Sequence, residues 1–193
     1  MEYQLAIENT PESISGGTGV LLLHPSTGET DQIDTDFLKD DTDCFLIVST
    51  RTTAKEVQQK LEYYGVEASR AVILDTISVE RGYSRRSSEN VYFIASPDDL
   101  VGITDRIESF LRENNGKRRI SIDSVTELSY YAGEKETIAA VERILDLLVT
   151  FDAVGLFHLA GEVHESATLD KYNSLFDAIV ELDETGDIHW RQE

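Results

Sequence analysis

A doubly wound, mainly parallel α/β sheet finished by antiparallel strands is the fold the sequence predicts, and three observations predict it. Short continuous apolar runs recur along the chain, as expected of strands buried on both faces. Segments with apolar residues three and four apart separate these runs, the spacing of helices that cover a sheet. The last two strand-like runs flank Asp183-Glu184-Thr185-Gly186, a turn that predicts a closing hairpin. With 193 residues, 40% hydrophobic and 28% charged, the chain is expected to form one globular domain over 1–193 with a self-sufficient core.

Each element has its own signal. Residues 1–18 are polar and broken by Pro11 and Gly16-Gly17, which predicts a loose N-terminal arm or a short strand. Val20–His24, bounded by Gly19 and Pro25, reads as the first buried strand. A short helix is expected over Thr30–Leu38, with Ile33, Phe37 and Leu38 on one side. CFLIVS (Cys44–Ser49) is the second strand, and Thr53–Tyr64 a helix with Val57, Leu61 and Tyr64 on one stripe and Gly65 as its stop. AVILD (Ala71–Asp75) is the third strand and Val91–Ile94 a short one. A helix runs from Ser96 to about Asn114, followed by RISID (Arg119–Asp123), the fourth strand, which ends in a carboxylate. Lys135–Thr150 is strongly helical in period, Ala153–Leu159 is the fifth strand, and Ala178–Leu182 with Asp187–Trp190 form the hairpin.

Charge narrows the functions. Thirty-seven acidic against 17 basic residues leave −20, and the acids are spread over every segment, as in a chain adapted to high salt. Nucleic-acid binding is not expected, because phosphate contacts need clustered Lys and Arg. A single cysteine, Cys44, excludes a disulfide framework and favours a reducing cytoplasm. No signal peptide and no apolar run of membrane-spanning length is read, so no membrane partner is expected.

Behind the first strand stands HPSTGET (His24–Thr30). A phosphate-binding loop reads G-x-x-x-x-G-K-[S/T], its amides cradling phosphates and its Lys reaching the terminal ones. Gly28 and Thr30 fit such a loop, with Ser26 and Thr27 in its small-residue turn, but Glu29 stands at the Lys and Leu23 at the first Gly. In an open α/β sheet ligands sit at the carboxyl ends of strands, where Asp123-Ser124 follows RISI. The element order, the IDS triplet (Ile122–Ser124) and FDAIVEL (Phe176–Leu182) together resemble the RecA/KaiC-type ATPase core, and more closely the shortened KaiC-like proteins of salt-loving archaea. The resemblance covers about residues 14–190. It implies a three-layer RecA-like sheet, an ATP and Mg²⁺ site at Ser26–Thr30 with Asp123 and Ser124, and a catalytic Glu just after the second strand. In this chain that last position reads Thr50-Arg51-Thr52.

These departures favour a remnant nucleotide site with no catalytic residue and no cofactor. Exchanging +1 for −1 about 4 Å from a polyphosphate costs several kcal/mol at an effective dielectric near 20. The alternative is a weak ATPase that uses Asp123 with groups from a neighbouring subunit. If the first strand lies between the fourth and fifth, His24, Asp123 and His158 converge, with Glu162 and His164 just beyond. That cluster is either a metal or proton-transfer site or a self-satisfied polar network in the vacated pocket. Arg81, Arg85 and Arg86 are the concentrated positive feature, expected to bind an acidic protein partner, a sister subunit or a phosphate or other anion, or else to pair with nearby carboxylates. The loop expected over Gly161–Tyr172 is too acidic for nucleic acid, and Tyr63-Tyr64 and Tyr130-Tyr131 are expected to pack half-buried. A regulatory or scaffold protein, working through protein contact in the cytoplasm, is the function these features predict.

Overall fold

The computed structural model describes residues 1–83 and 88–192. A short antiparallel pair, β1 (Glu2–Gln4) and β2 (Ser13–Ser15), precedes β3 (Gly19–His24), α1 (Asp31–Lys39), β4 (Cys44–Ser49), α2 (Ala54–Tyr63), β5 (Ala71–Asp75) and β6 (Val91–Phe93). Then follow α3 (Leu100–Glu113), β7 (Arg118–Asp123), α4 (Val125–Ala132), α5 (Glu134–Phe151), β8 (Val154–Ala160), α6 (Ser166–Leu175), β9 (Ala178–Leu182) and β10 (Ile188–Gln192). Among the described residues the main sheet runs β10-β9-β3-β8-β7-β4-β5-β6, parallel throughout except for β10.

Strand periodicity divides the core into two layers. Val20, Leu22, Phe45, Ile47, Leu156 and Val180 point to one face, beneath α1, α2 and the β1–β2 pair. Their neighbours Leu21, Leu46, Val48, Ile120, Ile122 and Phe157 point to the other, beneath α3 to α6. Gly19 and Gly155 pair across β3 and β8, and a Cβ at either would meet Leu145 or Leu148 of α5. Glycine there permits the close approach of that helix.

The order of the strands corrects one expectation. β3 pairs with β8 and β9, so β8 separates it from β7, and His24 and Asp123 are not on adjacent strands. Local apolar runs mark strands but carry no record of which crossover places them side by side. The N-terminal arm is not loose: the Tyr3 side chain is fully buried and its hydroxyl donates to the Asp152 carbonyl at 2.7 Å. The stretch Gly161–Tyr172 is not a loop but a 3-10 turn leading into α6. Tyr63 and Tyr130 are 83% and 82% exposed rather than half-buried, because each points away from its helix's packed stripe.

Candidate functional site

The carboxyl ends of β3, β4, β7 and β8 gather His24, Ser49, Asp123 and Ala160 along one edge. β7 alternates strictly, with Arg118, Ile120 and Ile122 on one face and Arg119, Ser121 and Asp123 on the other. That second face is polar beneath two helices that otherwise bury apolar residues, so its groups must find partners.

They find them within the chain. Asp34 of α1 is fully buried and accepts from Lys60 Nζ of α2 at 2.8 Å and from His158 Nε2 of β8 at 3.0 Å. The Ser121 hydroxyl donates to the same carboxylate. Burial alone pushes the Asp34 carboxyl up, but the Lys60 ammonium and the His158 hydrogen bond outweigh it and hold it well below the usual carboxylate range. Burial opposes the Lys60 charge as well, and the carboxylates of Asp34 and Asp123 overcome this and raise it. Arg119, also fully buried, donates to Thr42 Oγ1 at 2.6 Å and to the Gln4 carbonyl at 2.7 Å, which ties the N-terminal strands to the sheet. Burial brings its pKa down to about 10.

Asp123 is engaged by a cation of the chain itself. Arg51, in the loop after β4, reaches its Oδ1 with Nε at 3.0 Å and Nη2 at 2.6 Å. The Thr50 hydroxyl donates to the Asp123 carbonyl and accepts from the Ser124 amide, fixing the two strand ends together. Ser124 also caps α4, accepting from the Glu127 amide.

The loop Pro25–Thr30 is drawn into a tight turn, with the Gly28 amide on the Pro25 carbonyl at 2.8 Å. A Cβ at Gly28 would come within 3.0 Å of that carbonyl. The Ser26 amide and hydroxyl both donate to one carboxylate oxygen of Glu162, at 2.7 and 2.5 Å. Those Ser26 bonds lower the Glu162 pKa. An internal carboxylate thus holds the loop amide. Thr30 precedes the first turn of α1, where Asp31 and Asp34 add negative charge, and Glu29 stands beside them. Thr27 has no side-chain role in this set.

His24 is brought near His158, their rings 6.0 Å apart, and His158 Nδ1 lies 3.9 Å from Asp123 Oδ1. His24 Nδ1 donates to the Pro25 carbonyl, and its buried Nε2, like His158 Nδ1, has no hydrogen-bond partner among the described residues. No group of three His, Cys, Asp or Glu side chains among the described residues is arranged to hold a metal. His164 lies apart from this cluster: it bonds Glu134 at 2.7 Å and Thr126 at 3.0 Å on the other face, where Tyr172 also donates to Glu134. Of the three arginines, Arg81 donates to the Arg51 carbonyl at 3.2 Å, and Arg85 and Arg86 lie outside the described residues.

Asp34, Lys60 and Arg51 were not among the residues the sequence singles out as a site. Two signals were present. Asp34 precedes Phe37 and Leu38 by three and four residues, and Lys60 follows Val57 by three, so both are charges at core spacing.

Stability should therefore depend on pH in a definite way. Burial lowers the His24 pKa below its ordinary 6.5, so its contribution is complete above that value and is lost as pH falls through the folded one. Lys60 is raised, so its contribution holds below 10.5 and is lost as pH rises through its folded value. We expect a thermal-melting plateau between these limits and a decline from about pH 6.5 downward. His24→Gln should flatten the upper part of that decline, and an unchanged profile would assign it to other groups.

Solved structures with the same architecture include a KaiC-like protein from Pyrococcus horikoshii OT3, with TM-score 0.65 and 12% identity over 98% of this chain and 85% of that one. An ATPase of the type III secretion system of pathogenic bacteria matches with TM-score 0.63 and 11% identity, over 90% of this chain, which spans 53% of that chain. An uncharacterised P. horikoshii protein, solved with an unknown peptide, matches with TM-score 0.64 and 13% identity over 90% of this chain and 82% of that one. At such identities the likeness speaks for the fold: this is a RecA/KaiC-like ATPase fold. The chain belongs to a family of unknown function, DUF7090, whose model matches residues 1–192. No curated protein matches the sequence. Among the described residues no helix is long and apolar enough to cross a membrane.

Proposed function

We propose that the chain is a non-catalytic member of the RecA/KaiC-like fold, a pseudo-ATPase kept as a regulatory or scaffold protein that works through protein contact. One observation carries this: groups that ATP and Mg²⁺ would need at the strand ends are engaged by side chains of the chain itself. Arg51 holds Asp123, where a metal ion would need the carboxylate free, and Glu162 holds the Ser26 amide, where a phosphate would need it. Lys60 is buried against Asp34 and is not free to reach a ligand. The stretch after β4 reads Thr50-Arg51-Thr52 and carries no carboxylate that could activate water. The acidic surface suits work at high salt in the cytoplasm.

Assay in molar KCl with ATP and Mg²⁺ should give no turnover above the protein-free rate. The second reading, a weak ATPase completed by a neighbouring subunit, is favoured by the survival of Asp123 at its strand end. Turnover that disappears in Asp123→Ala would establish that reading and end the first.

A further inference from the structure

The α3–α5 flank carries a groove of about 600 Å³ that the internal charge network does not use. Its floor and walls are small or apolar: Ala139 and Ala140 of α5, Leu100 and Val101 of α3, and Tyr131 at the end of α4. Val101 of the lining is 71% exposed, and Tyr130, edge-on against the lining residue Tyr131 but itself outside the groove, is 82% exposed. Large aromatic and aliphatic groups left in water around a concave apolar floor mark contact surfaces more than folding ones.

The rim supplies the charge. Asp98, Asp99, Asp105 and Glu136 surround the groove against the single guanidinium of Arg143, which Asp105 and Glu108 share at 3.8 and 3.3 Å. Asp99 has an internal task, accepting from the Gly102 amide as the cap of α3. Asp98 and Glu136 make no ion pair among the described residues.

We propose that this groove docks an amphipathic helix of a partner protein, with large apolar side chains on the floor and Lys or Arg along the acidic rim. A second copy of the chain is a poor occupant, since at −20 it would bring acid to acid. The assignment rests on the scaffold reading and gives that reading a surface and a partner chemistry.

The test uses the full chain and two synthetic helices, one built of Leu and Lys and one of Leu and Glu in the same pattern, titrated in the molar KCl of the ATP assay, where only direct charge contacts count. The Leu-Lys helix should bind saturably and the Leu-Glu helix should not. Ala139→Trp fills the groove without changing charge, and because Ala139 is exposed the fold should tolerate it; affinity should fall about tenfold or more. Val101→Ser, a second neutral variant, should weaken binding less. No binding, or equal binding to wild type and both variants, would overturn the proposal, the latter by showing only general attraction to an acidic protein. A doubled scattering mass abolished by Ala139→Trp would overturn it in favour of self-association. If the helix fails to bind and ATP also fails to bind, this surface falls while the pseudo-ATPase reading stands.

Discussion

Replacing Lys60 by Met is expected to destabilise the domain by about 3–5 kcal/mol, because the Asp34 carboxylate is left charged in a fully buried place. In a domain of this length that lowers the melting temperature by roughly 10 °C. The expectation depends on pairing, not on the lysine alone. Asp34→Asn in the same chain removes the stranded charge and keeps bonds to Ser121 and His158, so the double variant should recover much of the loss. Denaturant unfolding of the two single variants and the double one closes the cycle, with a coupling of about 2 kcal/mol or more expected. Additive losses would mean that the two side chains are not energetically paired.

Arg51→Ala should have the next largest effect. Asp123 keeps its place at the strand end but loses both guanidinium bonds, and its side chain is only 12% exposed. Leaving such an acceptor unpaired costs about 1–3 kcal/mol. Asp123→Asn should restore most of that stability in the Arg51→Ala background, since the neutral amide needs no cation. If Arg51→Ala unfolds at the wild-type denaturant concentration, the pair is a weak surface contact and does not keep Asp123 closed.

Much of the fold was legible in the sequence because a parallel sheet buried on both faces leaves continuous apolar runs. CFLIVS, AVILD and the AIVEL of FDAIVEL each became a strand, and IDS marked the carboxyl end of β7. The order of β3, β8 and β7 was not legible, since it is fixed by the packing of helices between strands and not by the strands themselves. Helix α4 went unread because eight residues, VTELSYYA, offer little more than two turns of periodicity. The site was half legible. Glu29 and Leu23, at the places of the Lys and the first Gly of a phosphate loop, could be read from the sequence directly. The ion pairs near them are tertiary: Lys60 meets Asp34 across two helices, and Arg51 meets Asp123 across two strands. Only the strict alternation of RISID, polar every second residue in a strand buried on both faces, hinted that one face of β7 needed charged partners.

Calorimetric titration of the wild-type chain with ATP and Mg²⁺ in molar KCl tests the central claim most directly. With Glu29 where a Lys would stand, a cost of several kcal/mol corresponds to an affinity about a thousandfold or more below that of a working site. No saturable heat at millimolar nucleotide is the result expected, for Arg51→Ala as well as for wild type, because Glu162 still holds the Ser26 amide and Glu29 still stands in the loop. Saturable binding by the wild-type chain, lost in Asp123→Ala, would contradict the claim that the chain's own charges have taken the nucleotide's place.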